Sequence, residues 1–261
     1  MERERSAAAA AMLGMPGFVV LAVSDYDGEV EQAIETTADL VGCPDCGAVA
    51  QLHGRRPCWV RDLPAGGRPV TLVWIKRVWR CLHLECPRRT WTETSPWITS
   101  RASLTERARA EICRRVGEDG HCAAVAREFG IGWHTAMGAV RDHGRPRVDD
   151  PARLSGVNAL GVDETAFQAA SAARSTSFVT GIVDLSRTHT RARLLDVVAD
   201  RSASGLVSWL NARDRGWRSG IRVAALDPYR GYASALRTSL RTRSGCARCL
   251  PRGAARVRHR R

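Results

Sequence analysis

The spacing of apolar positions changes several times along the 261-residue chain. Phe18 to Val23 is a short apolar run and Val30 to Ile34 alternates, which predicts two short strands. Val70 to Arg80 alternates over a longer stretch rich in Val and Trp and predicts a third. After residue 100 the period lengthens. Ser103 or Thr105 can cap a helix with Glu106 in its first turn and Ile112 and Val116 on one face. His121 to Phe129 then reads as a helix, Gly130-Ile131-Gly132 as a turn, and Trp133 to Val140 as a further helix, although Gly138 weakens the last by about 1 kcal/mol. Past residue 150 strands return at Val157 to Phe167, Ser177 to Leu185 and Thr188 to Val198. A helix from Arg201 to Ala212, opened by Ser202 and carrying Leu206, Trp209 and Leu210 on one side, precedes a buried-type strand from Ile221 to Leu226.

Composition sharpens the boundaries. With 44% hydrophobic and 26% charged residues the chain is globular in character, which excludes a wholly disordered protein. Residues 1–42 are acidic, whereas residues 43–100 are basic and hold five of the eight tryptophans. Nine of the thirteen net positive charges fall in residues 237–261, which contain no acid. Together these shifts predict four segments: a β-rich part with a cysteine module (1–100), a helical part (101–150), a strand–helix part (151–236) and a basic tail (237–261). Ala7 to Val23 is apolar, but Glu2-Arg3-Glu4-Arg5 gives its leader no net positive charge, and Gly14, Pro16 and Gly17 interrupt it. The expectation is therefore a cytoplasmic protein without a membrane segment.

The nine cysteines include Cys43-Pro-Asp-Cys46 and Cys81-Leu-His-Leu-Glu-Cys86. A C-x2-C pair folds into a tight knuckle whose thiolates face one ion, and a second pair from a distant hairpin completes a tetrahedral zinc shell. Such a closed four-thiolate site is structural. His53 and His83 are the alternative ligands, and Cys58 stands apart. Arg55, Arg56, Arg61, Arg68, Lys76, Arg77, Arg80, Arg88 and Arg89 are interleaved with Trp59, Trp74, Trp79, Trp91 and Trp97. That mixture suits a nucleic-acid surface and equally a small core with a solvated basic face.

The helical segment suggests a helix-turn-helix. Ala126-x3-Gly130 puts a small residue where helices cross and a glycine where the turn needs positive φ, and Val125, Ala126 and Phe129 can pack on Ile131, Met137 and Val140. The second helix would offer Trp133, His134, Thr135 and Arg141 to double-stranded DNA. Further on, three strands, a helix and a fourth strand suit a ribonuclease-H-like sheet in which the first and fourth strands are neighbours. Asp163 on the first and Asp227 after the fourth would then meet and could hold Mg²⁺ or Mn²⁺ for phosphodiester chemistry. The fold class is thus mixed α/β and α+β in several domains, and the four strands should leave one face of their sheet without covering helices and its apolar surface exposed.

In order, these pieces resemble the ISL3 family of DDE transposases over residues 18–236. The likeness runs through Thr37-Ala38-Asp39, Cys43-x2-Cys46, Arg61-Asp62-Leu63-Pro64, Cys81-x4-Cys86, the helix-turn-helix and Leu160-Gly161-Val162-Asp163-Glu164. It continues through Val183-Asp184-Leu185, Asp200-Arg201-Ser202 and Asp227-Pro228-Tyr229-Arg230-Gly231-Tyr232. The resemblance implies zinc on Cys43, Cys46, Cys81 and Cys86, and Asp163 and Asp227 as two members of a catalytic triad. It also implies binding to insertion-sequence terminal repeats and possible homo-oligomers on paired ends. The family's pattern continues to a triad glutamate, but no acid follows Asp227 here. The arginine-rich tail, with Cys246-x2-Cys249, is the composition that out-of-frame translation of a GC-rich gene produces, or else a basic arm. The expectation is a truncated or frameshifted transposase that binds DNA without strand transfer. The alternatives are a zinc-containing DNA-binding regulator using residues 43–150, and a nuclease recruiting Asp184 or Asp200.

Overall fold

A computed structural model describes residues 9–171, 173, 175–186, 191–199, 201–226, 230–240 and 248–250. They fall into two compact units, residues 1–149 and 150–261.

The first unit is built on a sheet in the order β1 (Phe18–Tyr26), β2 (Glu29–Thr36), β4 (Arg68–Cys81), β3 (Ala50–Ala65), with β5 (Thr90–Thr92) also beside β4. Two tight turns make its hairpins. Asp27 and Gly28 sit at φ 50° and 79°, and Gly66 and Gly67 at 59° and 75°; two consecutive positive-φ residues give the turn whose twist matches antiparallel strands. β2 and β4 run parallel, so the chain between them must cross over, and β3 and the cysteine knuckle occupy that crossover. Alternation on β4 puts Val70, Leu72 and Trp74 into a core with Phe18, Val20, Ile34 and Val60. Each such side chain taken from water contributes about 1.5–3 kcal/mol.

β3 was not expected. Residues 51–53 and 55–57 are exposed whichever way they point, which erases the period of two. Pro57 is tolerated because β3 is an edge strand. The tryptophans divide unequally: Trp74 and Trp79 are buried, Trp91 and Trp97 half-buried, and Trp59 is 59% exposed. Most of the aromatic run is therefore core.

After the sheet come the helices α1 (Glu106–Asp119), α2 (Cys122–Glu128) and α3 (Trp133–Val148). Thr105 caps α1 by accepting from the Ala108 amide, and Gly120 ends it at φ 71°. Val125, Ala126 and Phe129 meet Ile131, Met137 and Val140 as expected, over a floor of fully buried Ala136 and Ala139. α3 runs eight residues past Val140 despite Gly144 and Pro146. Asp142 pairs with Arg109, and His143 faces Glu106 at 3.5 Å, so the extension is held against α1.

In the second unit β6 (Ala159–Gln168), β7 (Ser177–Asp184) and β8 (Arg193–Ala199) form an antiparallel meander, and β9 (Val223–Leu226) lies parallel beside β6. A short strand, β10 (Arg248–Leu250), pairs with β9. α4 (Ala203–Asn211), capped by Ser202, and α6 (Arg230–Ser239) contribute Leu206, Leu210, Tyr232 and Leu236 to one core with Leu160, Val162, Ile182 and Leu195. A short helix that the sequence did not signal, α5 (Arg215–Gly220), is capped by Asp214, and its Trp217 donates to the Leu154 carbonyl at 2.7 Å. α6 continues past residue 236, and Leu240 joins the core. Leu194 and Val197 on β8 and Phe167 on β6 stay exposed, the uncovered apolar surface anticipated for this sheet.

Candidate functional site

The four cysteines of the two short-spaced pairs come together. Cys43 enters a tight turn in which the Gly47 amide donates to its carbonyl and Gly42 bridges to Val49. Cys81 is the last residue of β4, and the Cys86 amide donates to the His83 carbonyl in the second knuckle. All four sulfurs lie within 4.8 Å of one another, with Cys43 to Cys86 at 3.7 Å and Cys46 to Cys81 at 3.6 Å. Zn–S bonds of about 2.3 Å at tetrahedral angles separate sulfurs by about 3.8 Å. The donor set therefore fits zinc closely. Arg88, just beyond the second knuckle, pairs with Asp45 inside the first at 2.8 Å and ties the two together.

Crowding separates the thiols electrically. Burial pushes Cys86 up to about 12, and the sulfurs of Cys46 and Cys43 add to the rise. Burial also acts on Cys43, but the amides of Asp45 and Cys46 and the neighbouring sulfurs outweigh it and bring Cys43 down to about 7. A divalent cation at the centre favours the thiolate form of all four and releases their protons. His53, His83 and Cys58 lie outside this group; Cys58 packs on the sheet core instead.

The helical residues singled out for DNA stand as follows. Trp133 (48% exposed), His134 and Arg141 are exposed on α3 and Thr135 is half-buried, while the buried Ala136 and Ala139 turn inward. The rings of Trp133 and His134 meet edge to face at 5.2 Å.

In the second unit Asp163 lies on β6 opposite Gly181 of β7. The parallel register pairs Val162 with Leu226, the residues that immediately precede Asp163 and Asp227 in the sequence. Asp227 itself lies outside the described residues, as do Asp200 and Cys246. Asp184 is buried and committed to structure: it accepts from the Ser186 amide at 2.8 Å and pairs with Arg193 at 2.8 Å.

Two polar pins escaped the sequence reading. Buried Asp62 accepts from the Thr105 hydroxyl at 2.6 Å and from Arg107 through two nitrogens. Glu93 accepts from Thr36 at 2.7 Å, from the Trp74 indole at 3.1 Å and from the Arg77 amide at 2.7 Å. Asp62 falls within the Arg61-Asp62-Leu63-Pro64 stretch of the family likeness, but neither that stretch nor the mixed context of Glu93 signals a buried acid.

Comparison with known proteins places these features in a lineage. Residues 39–86 match the family model described as the zinc-finger of transposase IS204/IS1001/IS1096/IS1165, and residues 160–245 match a model described as transposase, of the ISL3 type. The transposase for insertion sequence element IS1001 of Bordetella parapertussis is 33% identical over 135 residues, which cover 51% of this chain and 32% of that protein. The match thus spans about a third of the relative's length. Because the first match falls on the thiol cluster and the second on the sheet joining β6 to β9, the chain belongs to the ISL3 family of transposases.

Proposed function

We propose that this protein acts in DNA transposition by binding duplex DNA at insertion-sequence ends, and that it carries two carboxylates of a metal-dependent cleavage and strand-transfer site. The observation that carries the reading is the order of its parts. A four-thiolate knuckle, a helix pair with an exposed aromatic and basic second helix, and a sheet with β9 parallel to β6 follow one another as the family resemblance requires. In this reading α2 and α3 are a helix-turn-helix whose Trp133, His134, Thr135 and Arg141 face DNA, and the sheet is the first half of a ribonuclease-H-like domain. Zinc holds the knuckle and takes no part in chemistry, since four thiolates leave no open coordination position.

Asp163 and Asp227 are hard oxygen donors of the kind Mg²⁺ or Mn²⁺ prefers, and such an ion would supply activation of a water or 3′-hydroxyl and stabilisation of the leaving oxygen. These two side chains would orient the scissile phosphate where the middle of β6 passes the end of β9. Residues 228–261 contain no Asp or Glu, so the third carboxylate implied by the family is not among them. The expected outcome for this chain alone is a gel shift of labelled insertion-sequence ends, weakened by Arg141→Ala and unaffected by Asp163→Asn. No joining of those ends to target DNA is expected in Mg²⁺. Loss of binding in Asp163→Asn with Arg141→Ala unchanged would sink the assignment of roles.

A further inference from the structure

Trp59 is the one tryptophan of residues 43–100 that stays mostly in water. Its neighbours Cys58 and Val60 point into the sheet core, so Trp59 projects from the opposite face, and Arg61, two residues on, shares that face. Arg61 reaches the turn that opens α3. A Cβ built on Gly130 would lie 3.2 Å from the Arg61 guanidinium and 3.0 Å from Pro69, and Gly130 holds φ at +63°. Trp133 follows three residues later and is also exposed. The two exposed tryptophans thus flank one tight contact between sheet and turn.

That contact is locked from several sides. The Arg61 amide donates to the Ser103 carbonyl and its carbonyl accepts from the Thr105 amide, which adds the start of α1 to β3. Asp62 then fixes Thr105 and Arg107, while Arg107 also donates to the Leu13 carbonyl. Of the carboxylates on the Trp59 face, Glu29 is paired with Arg61 and Glu35 with Arg55 and Arg77, while Glu31 between them has no ion pair among the described residues.

We infer that Trp59 and the first turn of α3 form one continuous DNA-contacting surface whose two parts are held at a fixed spacing by Arg61 and Asp62. The inference rests on the DNA-binding reading above and adds a residue and a geometric rule to it. A rigid, exposed aromatic loses little conformational freedom on contact and suits the anchor position of an interface. Because the sheet and the helices cannot slide past each other, the DNA contacted by α3 and the DNA contacted by Trp59 must be adjacent in one register.

The test selects duplexes from a randomised pool with the zinc-loaded full chain and footprints the tightest. Trp59→Ala should weaken binding by roughly tenfold and remove protection from a segment beside that covered by α3, with the thermal transition unmoved. Inserting a base pair between the two segments should cost the unaltered chain a similar factor and cost Trp59→Ala nothing further. Equal affinity of Trp59→Ala with an unchanged footprint, or indifference of the unaltered chain to the insertion, overturns the shared surface while leaving DNA binding by α3 intact. If no duplex is selected at all, the DNA-binding reading fails and the shared surface fails with it.

Discussion

The sheet of residues 9–149 and the sheet of residues 150–250 are stabilised by different means. The first surrounds Trp74, Leu72 and Ile34 with apolar neighbours, but its outlying parts are attached by polar pins. Four thiols gather the knuckles, Glu93 ties β2, β4 and the chain after β5, and Asp62 joins β3 to α1. The second has no thiol cluster among its described residues and depends on α4 and α6 packing over one face, leaving Leu194 and Val197 on the surface. The contrast teaches that the first unit's integrity is conditional on a metal and on several charged pins, whereas the second unit's rests mainly on buried area, with buried Asp184 and its partner Arg193 as an ion pair of its own.

The largest effect should come from taking the metal away. Chelation, or Cys81→Ser, is expected to abolish zinc content by atomic absorption and to remove the first unit's thermal transition while sparing the second's. A second-unit transition that collapsed with it would break the contrast. Next in size is Leu206→Ala, which empties a fully buried site in the second core and should cost about 4 kcal/mol in chemical denaturation, with the first unit's transition fixed. Asp62→Ala should cost the first unit about 3 kcal/mol, because it leaves Arg107 facing a buried void without its carboxylate. A loss below 1 kcal/mol there would show that the polar pin is dispensable and that packing alone joins the sheet to α1.

The smallest effect is a pH dependence in the second unit. Burial works to raise the pKa of Asp184, but hydrogen bonds from Ser186 and the Arg193 guanidinium outweigh it and hold the carboxyl below its ordinary value of 3.8. A depressed folded-state pKa means stability that is present above the ordinary value and lost as pH falls through the lower one. Melting the second unit across that acid range should show a downward slope that Asp184→Asn flattens.

Much of this arrangement was legible before any coordinates, and the reasons are physical. β4 could be read because each apolar residue from Val70 to Trp74 is buried or nearly so. The thiol cluster could be read because a C-x2-C spacing has few other uses. The neighbouring of β6 and β9 followed from the order of three strands, a helix and a fourth strand, which suits a ribonuclease-H-like sheet with its first and fourth strands side by side. β3 could not be read, since much of its exposed half has no buried side to mark. The end of α3 could not either, because long-range pairing with α1 overrides the breakers Gly144 and Pro146. Trp59 is one of five tryptophans between residues 43 and 100, and only the register of β3 against β4 separates it from the rest.

The position of the thiol knuckles has a consequence for how the chain is made. Cys43 follows β2 and Cys81 ends β4, so a bound ion staples the two ends of the crossover that contains β3. As the protein leaves the ribosome, the staple cannot close until Cys86 has emerged, and it can close before α1, α2 and α3 exist. The helices would then be laid onto a platform already cross-linked. Zinc supply during synthesis would thus decide whether the surface proposed to bind DNA is assembled at all.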